Sequence, residues 1–116
     1  MSWTDDQVVE GVLEHLGVKA SGVTAAGEDT LRVTTAYTSV YALLAKQRLA
    51  PWPIDEVPDE AFIPLTYYLA GRVAAGFGHS GQRLLEFRED ARQGYKDLAT
   101  AAAGFRSRLR VRGSDF

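Results

Sequence analysis

Residues 51–58, Pro51-Trp52-Pro53-Ile54-Asp55-Glu56-Val57-Pro58, divide the chain. Three prolines fix their own φ and push the residues before them out of the α region, so no regular helix crosses this stretch. It reads as a stiff strap, with Trp52 packing back on whatever the flanking segments build. The 116 residues amount to a single domain, so both sides must share one core.

On the N-terminal side, Asp5–Leu16 reads as a short helix, because Val8, Val9, Val12, Leu13 and Leu16 recur at helical spacing. Thr4 or Asp5 caps its start, Gly17 is the expected left-handed stop, and His15 in the last turn suits the helix dipole. A turn-like stretch, 18–27, leads to a second helix over 26–50. There Val33, Tyr37, Val40, Tyr41 and Leu44 form the inward stripe. Thr30, Thr34, Thr35, Thr38 and Ser39 are weak helix formers, so packing rather than propensity must hold this element.

After the strap, Asp59 and Glu60 open a third helix with the stripe Phe62, Leu65, Leu69, Val73 and Phe77. Pro64 conflicts with it and predicts either a separate first turn or a bend. Gly76 and Gly78 end that helix. Ser80 caps a fourth, running through Ala103 on Leu84, Phe87, Ala91, Tyr95, Leu98 and Ala102. Gly104 marks its stop.

The final residues change pattern. Arg106, Arg108, Arg110 and Arg112 alternate at period two with Phe105, Ser107, Leu109 and Val111. That is strand or extended-arm patterning, and no other strand candidate is visible for it to pair with. The expected architecture is therefore all-α: a small four-helix bundle over 1–104 and an extended, basic C-terminal docking arm over 105–116. Arginine at all four positions points to carboxylate or phosphate partners, since its planar fork contacts both bidentately.

Charge sharpens this asymmetry. Residues 1–60 carry −6 and residues 61–116 carry +4, within a net −2. A dipolar chain of this kind stacks head to tail or docks its basic end on an acidic partner. There is no cysteine, which excludes disulfide frameworks, thiolate metal sites and cysteine nucleophiles. No apolar run approaches the ~20 residues of a membrane span. The acidic start, Met-Ser-Trp-Thr-Asp-Asp, lacks the plan of a signal peptide.

The motifs of chemistry reduce to simpler readings. Gly76-Phe77-Gly78-His79-Ser80-Gly81 matches G-x-G-x-x-G, but a helical stripe precedes it where a dinucleotide site needs a strand. It reads as an interhelix turn. Gly78-His79-Ser80 lacks the later glycine of a nucleophile elbow. His15 and His79 show no ligand spacing, and three of the four acidic pairs are explained by helix starts. No catalytic residue, cofactor or metal is expected, and the chain does not read as an enzyme.

The layout resembles a known family. Leu16-Gly17-Val18 ends a short helix and precedes a polar turn and a long helix. Val57-Pro58-Asp59-Glu60-Ala61-Phe62 closes the strap, and Tyr68-Leu69-Ala70-Gly71-Arg72-Val73-Ala74 leads to Phe77-Gly78. A last helix contains Ala91-Arg92, Tyr95 and Leu98. Over roughly residues 5–103 this is similar to the head-to-tail connector, or adaptor, proteins of tailed double-stranded-DNA phages, prophages and gene-transfer agents.

The resemblance implies a virion neck component, made in the bacterial host cytoplasm, that docks below the portal protein. It would form a homo-oligomeric ring, a dodecamer like the portal, extend the channel for packaged DNA and join the head-closure or tail neck protein. It implies no membrane partner. It assigns Arg106, Arg108, Leu109, Arg110, Val111 and Arg112 to contact with the portal or a neighbouring subunit. The arm here is densely basic, which departs from the family pattern and leaves portal side chains and DNA both open as its target.

A different class also fits the pattern. The first two helices can be read as a helix–turn–helix with Gly17 in the turn, giving a small helical DNA-binding regulator. The long connection, the acidic first half and a second helix with only Arg32, Lys46 and Arg48 as basic residues count against it. A toxin–antitoxin or chaperone-like interaction module is a third possibility.

Overall fold

The computed structural model describes residues 2–20 and 22–114, with the side chains of the last helix described through Leu109. Four helices carry the fold, as the sequence predicts, together with one very small sheet. The order is β1 (Ser2–Trp3), α1 (Asp5–His15), α2 (Gly27–Lys46), β2 (Val57–Pro58), α3 (Asp59–Val73), a 3₁₀ turn (Ala74–Phe77) and α4 (Gly81–Ser114).

Helix α1 is delimited by its own sequence. Thr4 Oγ1 accepts from the Gln7 N–H (3.2 Å) while Gln7 Oε1 accepts from the Thr4 N–H (2.8 Å), a reciprocal capping box. At the other end Gly17 takes φ +76°, and the Val18 N–H returns to the Leu13 carbonyl at 3.0 Å. Val8, Val9, Val12, Leu13 and Leu16 are all buried.

Helix α2 stops four residues short of the expected Ala50. Arg48 adopts the left-handed conformation, φ 64°, and the Leu49 N–H bonds the Leu44 carbonyl at 2.8 Å. Glycine usually fills that position, so an arginine there gives the sequence reader no stop signal. Pro51 adds to the termination by disfavouring helical torsions at Ala50.

Two tyrosines of α2 staple the strap. Tyr37 Oη donates to the Ile54 carbonyl (2.7 Å), and Tyr41 Oη donates to the Trp52 carbonyl. One turn apart on α2, they satisfy carbonyls that a proline-rich segment cannot pair with itself. Trp52 is 1% exposed and meets Phe105 edge-on at 5.7 Å, so it packs back on the bundle as expected, while Pro53, Asp55 and Glu56 of the strap stay exposed.

The sheet was not legible in the sequence. Ser2 pairs with Pro58 and Trp3 with Val57, antiparallel. Trp3 stacks on Phe62 at 4.0 Å and donates its indole N–H to Asp59 Oδ1 at 2.6 Å. Strands of two residues carry no periodicity, so only this aromatic and polar anchorage makes the pairing.

Helices α3 and α4 form the main packed pair. Pro64 sits within a continuous α3 rather than after a separate first turn. Leu65, Leu69, Ala70, Phe87, Leu98 and Ala102 bury the seam. Tyr95, expected inward, is 38% exposed and leans on Tyr68, because Gly94 takes the inward position. The G-x-G-x-x-G stretch is an interhelix turn: Gly78 has φ +90°, and Arg32 on α2 donates to the Gly76 carbonyl.

One expectation is overturned. The C-terminal arm is not extended: α4 continues through Gly104 to Ser114. Gly104 costs a helix only about 1 kcal/mol relative to alanine, and the contacts beyond it offset that. Phe105 packs on Trp52, Arg106 reaches the Arg48 carbonyl and Arg108 reaches Glu60. Period-two arginines specify a strand only where a neighbouring strand can pair with them, and none is offered here.

Candidate docking end

The basic residues sit on the C-terminal turns of a 34-residue helix. At 1.5 Å per residue such a helix is about 51 Å long, matching the longest dimension of the molecule, 51 × 27 × 22 Å.

Arg106 and Arg108 are not free. The Arg106 guanidinium donates to the carbonyl of Arg48, at the left-handed turn that ends α2. Arg108 pairs with the Glu60 carboxylate at the start of α3 and lies 5.8 Å from the Phe105 ring centre. The Glu60 carboxyl is held below its usual range, first by its own backbone N–H at the helix start and then by Arg108. Both partners are largely exposed, so the pair is a surface tie and not a buried ion pair.

Leu109, 47% exposed, presents an apolar side chain at the surface there. The side chains of Arg110, Val111 and Arg112 lie outside the described residues. Between α3 and α4 an open groove of about 540 Å³ runs beside the Arg108–Glu60 pair, lined also by Pro64, Asp97, Thr100 and Gly104. Of the six residues assigned to docking, Arg106 and Arg108 thus flank the bundle and Leu109 faces outward.

A second cluster escaped sequence reasoning, because its members lie far apart in the chain. His15 and His79 both meet Phe87: His15 edge-on at 5.3 Å, His79 tilted at 4.7 Å. His15 also stacks on Tyr67 at 4.2 Å, with Asp90 3.8 Å from its Nε2. His79 Nε2 lies 2.9 Å from the Leu16 carbonyl, so the turn before α4 helps close the C-terminus of α1. Burial pushes the His15 imidazole below its ordinary range; Asp90 opposes the shift and Arg83 adds to it. The favourable charge expected of His15 at the α1 dipole is therefore outweighed by desolvation.

Among the described residues, no group of three or more histidines and carboxylates is arranged to hold a metal ion. No described helix is long and apolar enough to cross a membrane. No protein-family model, curated protein or solved structure matches the chain.

Proposed function

We propose that this protein is a structural neck component of a tailed-phage-like particle. It docks as a ring below the portal protein, extends the DNA channel and offers a platform to the head-closure or tail neck protein. The observation that carries the reading is the end of α4. A basic helical segment with Arg106, Arg108 and the exposed Leu109 is held on a compact all-α bundle by contacts to Arg48 and Glu60. The likeness to connector proteins over residues 5–103 supports the same reading.

The docking element in this proposal is a helical end, recognised by charge-assisted contacts from arginine and by one apolar anchor. Engagement of portal carboxylates would release Arg108 from Glu60, which makes the intramolecular pair a placeholder for the intermolecular one.

The test is peptide mass spectrometry across a density gradient of nuclease-treated particles from producing cells. Stoichiometric co-sedimentation with portal peptides is expected. Its presence solely in the soluble fraction, beside full particles, would overturn the proposal. Tight, salt-steep binding of short duplex DNA by that fraction would then favour the regulator.

A further inference from the structure

Helix α2 leaves an exposed face that carries no charge along its middle turns. Residues 33–45 contain no charged side chain, although α2 alternates buried and exposed positions throughout. At 100° per residue, Leu31, Thr35, Thr38 and Ala42 fall within about 60° of one another on the helix surface. All four are exposed, and Leu31 is 65% exposed. The solvent face of α4 provides the internal contrast: Leu85 there shares its face with Arg88, Glu89, Arg92 and Lys96. A solvent helix is normally built the second way.

The charges that bound this face are arranged with a symmetry of their own. Glu28 stands at its N-terminal end and Lys46 at its C-terminal end, both exposed. Eighteen positions separate them, about five whole turns, so the two lie on the same edge of the face. Neither belongs to an ion pair among the described residues.

We infer that α2 pairs antiparallel with α2 of a second copy of this chain, about a two-fold axis near Tyr37, with Glu28 of each copy facing Lys46 of the other. A two-fold axis perpendicular to both helices reverses their direction and keeps each edge on its own side. Positions whose numbers sum to 73 or 74 then meet. Leu31 falls opposite Ala42, a large side chain against a small one, and Thr35 comes level with Thr38 diagonally across the face. Small residues let the helices approach at 8–10 Å, roughly the separation of packed helices. The interface is isologous and closes on itself, so it is distinct from the head-to-tail contact of a ring and stands independently of the neck proposal.

The test uses the full chain in analytical ultracentrifugation over a range of concentrations. A monomer–dimer equilibrium is expected. Glu28→Lys should weaken it by about tenfold or more, since two like-charged contacts arise per dimer, and adding Lys46→Glu should restore it. The chain has no cysteine, so Thr38→Cys provides a single thiol beside the axis. It should oxidise to a disulfide-linked dimer, whereas Leu85→Cys on α4 should not. A monomer at every concentration overturns the proposal. So does a dimer indifferent to Glu28→Lys, or a larger ring in which Thr38→Cys fails to cross-link.

Discussion

Gly94 of α4 lies directly against the backbone of Pro64 in α3: a Cβ on Gly94 would stand 2.6 Å from the Pro64 carbonyl oxygen. A reciprocal contact sits nearby, where a Cβ on Gly71 of α3 would meet the Phe87 carbonyl oxygen at 2.8 Å. Each helix thus contributes one glycine to a crossing in which backbone touches backbone. Neither obstacle is a flexible side chain that could move aside.

Gly94→Ala should therefore destabilise the fold by about 1–3 kcal/mol through overpacking, although alanine is the better helix former. Gly104→Ala is the counterpart, since the nearest foreign atom to its Cβ is the tip of Arg108 at 3.7 Å. It should stabilise the fold by up to about 1 kcal/mol. Urea denaturation of the two variants checks the opposite signs.

Trp52 joins the strap to both α2 and the end of α4. Trp52→Ala should cost about 3–5 kcal/mol, the range for deleting a large buried aromatic. Tyr41→Phe leaves the Trp52 carbonyl without its donor, for a loss of about 0.5–1.5 kcal/mol. Thermal and urea unfolding would measure both, and equal effects would contradict the burial of the Trp52 side chain in the core.

The His15 cluster makes stability depend on acid. Burial holds the folded-state pKa of His15 below its ordinary 6.5, so the unfolded chain binds the proton more readily. This contribution is fully present above pH 6.5 and declines as pH falls from there toward the depressed folded value. His15→Phe should flatten that part of the profile. Denaturation midpoints between pH 7.5 and 5, compared for the two proteins on this linkage argument, provide the check.

Arg108→Ala should change stability by less than about 1 kcal/mol, because its pair with Glu60 is exposed to solvent. It should raise the Glu60 titration only in part, since the backbone N–H at the start of α3 acts first in lowering it. Carboxylate chemical shifts followed by NMR distinguish this from a full return to the ordinary value.

The sequence by itself determined the elements whose signals are local. Thr4 caps α1, Gly17 ends it, and the stripes of α2 and α3 report buried faces because each side chain's position follows from helical periodicity. The three prolines alone dictated a strap, and Trp52 lies in the core as its setting implied.

The tertiary structure decided the rest. Arg48 ends α2 in a conformation that glycine normally supplies, held by the turn that returns Leu49 to Leu44. The chain stays helical past Gly104 where Trp52, Arg48 and Glu60 offer partners to Phe105, Arg106 and Arg108, and a period-two arginine pattern cannot encode partners 48 to 58 positions away. The same distance in sequence hid the meeting of His15, His79 and Phe87, and the contact of Gly94 with Pro64. Local torsional and capping preferences are written residue by residue. Which surfaces meet is set by packing one core, where a glycine's missing Cβ or a tyrosine's hydroxyl acts only once its distant neighbour is in place.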